Sequence, residues 1–396
     1  MRSNPGRITL AVLTVTLIAA IAARPRTAFE GALAGMDTWW NIVFPALLPF
    51  FIVSELVLGL GLASIAGALL EPVMRPLFRL PGSASFAVAV GYSSGYPVGA
   101  NFTARLRTER MCTRAEAEHL LTFVNNASPL FILVAISVGM FNNPALGPFI
   151  LAVHYLSNLT LGLLFRGYRR RERGPAVNTA NLWKRAFHQF LATDNRHPGQ
   201  ILGDAVKSAV NKLLVIGGFI ILFAVIVNLL SCFGLLPAFA GLLGFFLQPL
   251  GLAPELYLPL ATGVFEMTLG TRLVSETAAP LLQQLIAVQL ILAWSGLSIQ
   301  AQVAAFVTGT DIRLGLYFLG RLAHAALAVA LTLLLFPAFE NLLVAAAVQA
   351  PAAAALSWTA VLQTATLLAL TLPLGLLSFA MLLHTIRRLF RLFHVF

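Results

Sequence analysis

Residues 86–101 read FAVAVGYSSGYPVGAN, an apolar run that opens abruptly into glycines, serines, a proline and an asparagine. What surrounds the stretch gives it meaning. The chain has 396 residues, is 59% hydrophobic and 10% charged, and has a mean hydropathy of +0.86. Those proportions exclude an ordinary soluble domain of this length. Apolar runs occur at 8–23, 41–62, 119–138, 146–165, 208–231, 281–300, 313–336 and 356–383. Each approaches the roughly 20 residues that a helix needs to cross a bilayer, so the sequence predicts an all-α polytopic membrane protein of about eight spans.

Within such a protein the stretch is costly. Gly91, Gly95, Pro97 and Gly99 interrupt a helix, and irregular backbone at membrane depth survives only where protein or a water-filled cavity satisfies its amides. The pattern predicts a re-entrant hairpin that enters over 80–90, breaks at GYSSGYP and returns toward the arginines of 105–114. Glycines allow a ligand to approach closely, and free N–H groups where a half-helix starts suit an anion. Ser93, Ser94, Gly95, Tyr96 and Asn101 are therefore candidate substrate contacts, with Tyr92 beside them. GYSSG also fits the Gly-x-Ser-x-Gly elbow of serine hydrolases, but that motif requires a strand, a turn and a helix in a soluble sheet. No enzyme is expected. No cofactor or metal is expected either, because there is no phosphate-loop or dinucleotide fingerprint and no metal-ligand spacing among Cys and His.

Basic residues set the predicted orientation. With both termini in the cytoplasm, Arg75, Arg79, Arg105, Arg107, Arg110, Arg114, the run RGYRRRER at 166–173 and Arg387, Arg388 and Arg391 all fall inside. Only Arg24, Arg26 and Arg272 fall outside. The first apolar run is short and preceded by arginines, as in a signal peptide, but it lacks a small-x-small cleavage site and is expected to remain as a span. The net charge of +11 and the pI near 10.6 thus report membrane insertion. Anionic lipids are the expected partners of this charge, and no nucleic acid is expected. Cys112 and Cys232 fall on opposite sides and should not pair.

The sequence also echoes itself. LLEPVMRPLFRLPGSASFAVAVG (69–91) is answered by LLGFFLQPLGLAPELYLPLATG (242–263), each followed by a glycine-punctuated loop, a polar-interrupted span and a Tyr-containing span. An odd number of crossings per half would insert the second copy upside down, the arrangement of many secondary transporters, with substrate at the repeat interface. The predicted organisation is a first span and external loop (1–40), repeat one (41–165), a basic cytoplasmic linker (166–207) carrying an amphipathic segment around Trp183, an inverted repeat two (208–337), and a last span with a basic tail (338–396).

Repeat two holds the counterpart of the opening stretch, TGVFEMTLGTR at 262–272. Glu266 is an acidic group at predicted membrane depth and hence a candidate for proton or cation coupling, a place in external water or a structural pair with Arg272 being the alternatives; Thr268 beside it is a candidate substrate contact. Glu55, within an apolar run, has the same two readings, the ion pair favoured. Two spans are broken by polar residues at matching places. Asn125, Asn126 and Ser128 stand in FVNNASPLF, and Ser295, Ser298 and Gln300 in AWSGLSIQAQV. All six are candidate substrate contacts from discontinuous helices lining a cavity. His154, His324 and Arg321 read as interhelical hydrogen-bonders or snorkelling groups rather than ligands.

The segments PALLPFFIVSEL, RLPGSASFAVAVGYSSGYPVGA, AEAEHLLTFVNNASPLFI, GVFEMTLG and WSGLSIQAQV together resemble the YlbJ (also SpoVV) family of sporulation integral membrane proteins, within the Gate, or nucleoside-recognition, group. The likeness runs from about residue 40 to residue 336. It implies a transporter of dipicolinic acid across the outer forespore membrane, toward the spore. The wider group leaves an ion-coupled nucleoside or polar-solute carrier as the alternative, and a non-transporting scaffold of spore assembly as a third. One departure bears on charge: where the family often closes its hairpin with Gly-Ala-Lys, this chain has Asn101. Oligomeric state is left open by the sequence.

Overall fold

The structure, a computed structural model, describes residues 5–60, 70–71, 73–169, 172 and 197–349. The predicted span at 356–383, the tail arginines and the segment around Trp183 lie outside the described residues. The elements are helical, with no strand among the described residues. An apolar chain in an apolar solvent must satisfy its own backbone, and a helix does so locally.

The first part of the chain forms α1 (Pro5–Ala23), α2 (Pro25–Thr38), a π-helical turn (Trp39–Val43) and α3 (Phe44–Gly59). Then come α4 (Ala84–Ser94), α5 (Val98–Thr108), α6 (Arg114–Val124), a π-helical segment (Phe131–Met140) and α7 (Leu146–Leu164). The second part holds α8 (Pro198–Cys232), α9 (Leu235–Leu247), α10 (Tyr257–Phe265), α11 (Met267–Ser275), α12 (Leu281–Trp294), α13 (Gly296–Val307) and α14 (Gly315–Gln349).

Four stretches are long and apolar enough to cross a membrane: Leu146–Gly167, Pro198–Cys232, Leu281–Val307 and Gly315–Glu340. A fifth is counted if Ile8–Ala23 and Pro25–Asn41, which bend by 107°, form one broken span. The bend has a local cause. Pro25 lacks an N–H, and Arg24 before it leaves helical geometry at φ −137°, ψ 63°.

Three boundaries differ from the sequence expectation. Residues 25–38 are helix rather than external loop, because Gly31 and Gly35 let α2 lie directly on α8; a Cβ on Gly35 would fall 2.8 Å from the Ile221 Cα. Helix α8 begins at Pro198, inside the stretch assigned to the linker, where the His197 side chain caps it. Helix α14 continues past 337, through Pro337, to Gln349. The indole N–H of Trp39 donates to the Leu213 carbonyl at 3.0 Å, and Gly217 makes room for the ring, which fixes the entry to α3 against α8.

The two parts of the chain share an order of elements. A short helix pair (α4–α5) precedes an interrupted helix (α6 and the π-helical segment) and a long helix (α7); α10–α11, α12–α13 and α14 follow the same sequence. Two large apolar clusters form the interior, and Tyr92 and Ile299 pack against both. The helix interruptions gather around that junction.

Candidate functional site at the helix breaks

The first break follows α4. Gly95 takes a left-handed φ of 80°, the Tyr96–Pro97 peptide is cis, and α5 begins at Val98. The sequence placed the start of the break at Gly91, but residues 91–94 are the last turn of α4. Gly91 serves a different purpose. A Cβ there would lie 3.2 Å from the Val124 carbonyl carbon, and one on Gly99 would lie 2.8 Å from the same atom, so the two glycines straddle the end of α6.

The second break is Asn125–Pro129. Asn125 leaves helical geometry at φ −103°, ψ 89°, Pro129 has no N–H to offer, and the Ser128 hydroxyl accepts from Phe131 N–H at 3.2 Å to start the next segment. The first two breaks are joined: Tyr96 N–H donates to the Asn126 carbonyl at 2.7 Å, and a Cβ on Gly95 would fall 2.6 Å from the Ser128 nitrogen. The Asn126 amide donates to the Gly91 and Val124 carbonyls at 3.0 and 3.2 Å.

In the second part the pattern recurs. Glu266 is extended at φ −140°, ψ 118° between α10 and α11, and its carboxylate caps α11 by accepting from Leu269 N–H at 2.7 Å. Ser295 and Gly296, at φ 69° and 72°, separate α12 from α13. A Cβ on Gly296 would sit 3.1 Å from both Met267 N and Phe265 O, so these two breaks also face each other. Tyr96 and Tyr317 connect the two pairs. The Tyr96 hydroxyl reaches the Leu292 carbonyl at 3.5 Å, and the Tyr317 hydroxyl accepts from Asn125 Nδ2 at 2.9 Å.

The other predicted contacts divide. Ser94 is buried with its hydroxyl unpartnered, whereas Ser93 is exposed and donates to its own helix at the Val90 carbonyl, 3.2 Å away. Asn101 lies within α5 rather than at the hairpin tip, its Nδ2 buried without a partner. Ser298 and Gln300 are buried in α13; Gln300 donates to the Trp294 carbonyl at 3.0 Å, and Ser298 accepts from Gln302 at 3.4 Å. Thr268 and Glu266 line a cleft of roughly 50 Å³ with Thr38 and Asn228, large enough for a water or two. Arg272 pairs with Glu276 at 3.0 Å, which removes it as the partner of Glu266.

The densest network belongs to a residue that the sequence read as an interhelical hydrogen-bonder or a snorkelling group. Arg321 on α14 is 0% exposed. One of its terminal nitrogens donates to the Asn125 carbonyl at 2.7 Å; the other donates to the Thr122 carbonyl and, at 3.4 Å, to Asn158 Oδ1. Its guanidinium carbon lies 5.3 Å from the Tyr317 ring centre. Asn158 in turn donates to Phe123 O and to the Tyr92 hydroxyl at 3.3 Å, while the Tyr155 hydroxyl lies 2.6 Å from Tyr92 O. His154 and His324 are interhelical hydrogen-bonders, as expected: Ala127 N–H donates to His154 Nε2 at 3.1 Å, and His324 Nε2 lies 2.9 Å from the Ser157 hydroxyl. The overlooked signal was spacing. Tyr317, Arg321 and His324 stand at i, i+4 and i+7, on one helix face.

Known proteins give this geometry a relationship. The Gate family model, described as nucleoside recognition, matches residues 41–156 and 213–310. The sporulation integral membrane protein YlbJ of Bacillus subtilis is 44% identical over 344 residues, covering 84% of this chain and 84% of its own length. The chain belongs to the YlbJ family of sporulation integral membrane proteins. An uncharacterised protein of Alkalihalophilus pseudofirmus is 36% identical over 100 residues, 25% of this chain and 20% of that one. No solved structure matches. In this YlbJ-family chain all four breaks fall inside the Gate matches, and Tyr317 and Arg321 lie just beyond the second.

As a YlbJ-family member the chain is an integral membrane protein, and its remaining charges cluster away from the breaks. Glu55 pairs with Arg105 at 3.1 Å and with Lys212, the structural role the sequence favoured. Arg75 bridges Glu71 and Glu116, each at 2.7 Å. Arg107 grips Asp311 through two bonds of 2.7 and 2.8 Å and holds that carboxyl below its usual range. Cys112, buried in the turn before α6, has its thiol pushed up to about 12 by burial and by the nearby Glu116. Cys232 is exposed, and both thiols are free.

Proposed function

We propose that the chain is a carrier that passes a small anionic metabolite through the membrane at the four helix breaks. The observation that carries this reading is the facing of the breaks in two pairs, tied across by Tyr96 and Tyr317. Interrupted backbone inside a membrane protein is tolerated where protein buries it or where it lines a cavity, and secondary transporters use it to line a substrate site. The repeated order of elements and the two Gate matches support a pair of repeats, inserted with opposite orientation, whose hairpins α4–α5 and α10–α11 enter and leave on one side. Substrate would contact Ser94, Gly95, Tyr96, Asn125 and Ser128 from one repeat and Thr268 and Ser295 from the other. Glu266, with no cationic partner among the described residues, is the group proposed to carry a coupling proton or cation.

Dipicolinic acid is the proposed substrate, moved across the outer forespore membrane, on the strength of the family resemblance. Uptake of labelled dipicolinate into vesicles holding only this protein tests it. Accumulation above that of empty vesicles is expected, and equality with them would end the reading. The nucleoside-recognition description of the Gate match favours one alternative, a nucleoside carrier. In that case uridine would compete with dipicolinate, or replace it.

A further inference from the structure

The candidate site holds a buried cation, Arg321, and the carboxylate placed in the same site, Glu266, caps α11 rather than pairing with it. Arg321 is wholly enclosed, and its partners are two backbone carbonyls, one amide oxygen and the face of Tyr317. It makes no ion pair among the described residues, although Arg75, Arg105, Arg107 and Arg114 all find carboxylates. The Thr122 and Asn125 carbonyls belong to the end of α6, where the helix dipole supplies about half a negative charge, so roughly half of the guanidinium charge is left over. An enclosed cation of this kind is expensive unless an anion visits it.

Unmatched polar atoms around it lean the same way. The Arg321 Nε–H, the Ser94 hydroxyl and the Asn101 amide nitrogen are buried donors with no acceptor. His154 joins them: its Nε2 accepts from Ala127 N–H, so its proton sits on Nδ1, which is also unpartnered. Arg321 and Ser94 adjoin the first two breaks, where Asn125 Oδ1 is an unmatched acceptor; Asn101 lies a turn into α5, and His154 turns its Nε2 toward the second break. A ligand rich in acceptors and carrying negative charge would complete this set; a neutral polar solute would leave the charge bare.

We propose that Arg321 is the anion-selecting residue of the site, supplying its countercharge from α14. Helix α14 thereby brings a charge to a place otherwise built from broken backbone. The proposal rests on the carrier reading above and adds to it a determinant of substrate charge.

The test compares ligands of one shape and different charge: dipicolinate, its monoamide and the neutral pyridine-2,6-dicarboxamide. In vesicles containing the full chain, the wild type should take up dipicolinate in preference to the diamide. Arg321→Gln should lower that preference by roughly tenfold or more while diamide uptake persists, and Arg321→Lys should retain it in part. An unchanged preference in Arg321→Gln would overturn the proposal and leave the carrier reading intact. Because Arg321→Gln could fail to fold, thermal stabilisation of the purified wild type by the three ligands provides a second measurement. Stabilisation should fall in the order of charge, and equal stabilisation by all three would overturn the proposal. If the wild type neither transports nor is stabilised by any of them, the carrier reading falls and this inference falls with it.

Discussion

Gly99→Ala puts the packing at the breaks under direct test. The added methyl would clash with the Val124 carbonyl oxygen and lie 2.8 Å from its carbon. Ordinary contact begins near 3.4 Å, so the α5 backbone would have to retreat by more than half an ångström. Val124 cannot yield easily, since it is the last residue of α6 and is wholly buried. Overpacking against rigid backbone costs about 1–3 kcal/mol, and helix propensity returns at most about 1 kcal/mol. At roughly 1 °C per kcal/mol for a chain of this size, the melting temperature in detergent should fall by about 1–3 °C. Gly218→Ala is the matched control, because a Cβ there meets nothing within 4 Å; it should leave stability unchanged or raise it slightly. A thermal melt of Gly99→Ala that coincides with that of Gly218→Ala would refute the close approach of α5 to the end of α6.

Further expectations follow from single groups. Glu55→Gln should destabilise by about 3 kcal/mol in chemical or thermal unfolding, because Lys212 and Arg105 would be left facing an uncharged amide in a part-buried site; a loss below 1 kcal/mol, the range of a surface pair, would contradict that burial. Asp311→Asn should cost under ~1 kcal/mol, since the pair with Arg107 is largely exposed. Its sign with pH is fixed: Arg107 holds the Asp311 carboxyl low, so its contribution is present above the unfolded value near 3.9 and fades as pH falls through the lower folded value. Wild type and variant should therefore converge in acid, and a gap that widens there would be the wrong sign. A maleimide at pH 8 should label Cys232 and leave Cys112 unmodified in the folded protein, as mass spectrometry would show, because the Cys112 thiol is buried and hard to ionise. In transport, Glu266→Gln should abolish the pH dependence of the rate; an unchanged rate and pH profile would remove Glu266 from coupling.

Much of this arrangement could be read from residue types, and the limits of that reading are physical. Asn125–Pro129 and Ser295–Gly296 were legible as helix breaks because proline lacks a donor, glycine tolerates positive φ, and the polar residues cluster within apolar runs. Gly91 and Gly99 misled. A glycine marks a break or a close approach equally well in sequence, and only the Val124 carbonyl lying between them shows which. Residues 25–38 read as loop because their hydropathy is modest, yet their glycine face matches α8. Arg321 was legible only as an interhelical hydrogen-bonder or a snorkelling group, without its partners. A lone cation in a long apolar run resembles a snorkelling group until the neighbouring helix is seen to end against it, at Thr122 and Asn125.

The central claim is that the breaks of both parts of the chain form one substrate-lined centre. Single cysteines at Ser94, Ser128, Thr268 and Ser295, placed one at a time in a chain lacking Cys112 and Cys232, test it through labelling by a small membrane-impermeant thiol reagent with and without dipicolinate. The account predicts slow labelling at all four positions, suppressed in each case by dipicolinate. Rapid labelling from bulk water at any of these positions, indifferent to dipicolinate, would contradict it.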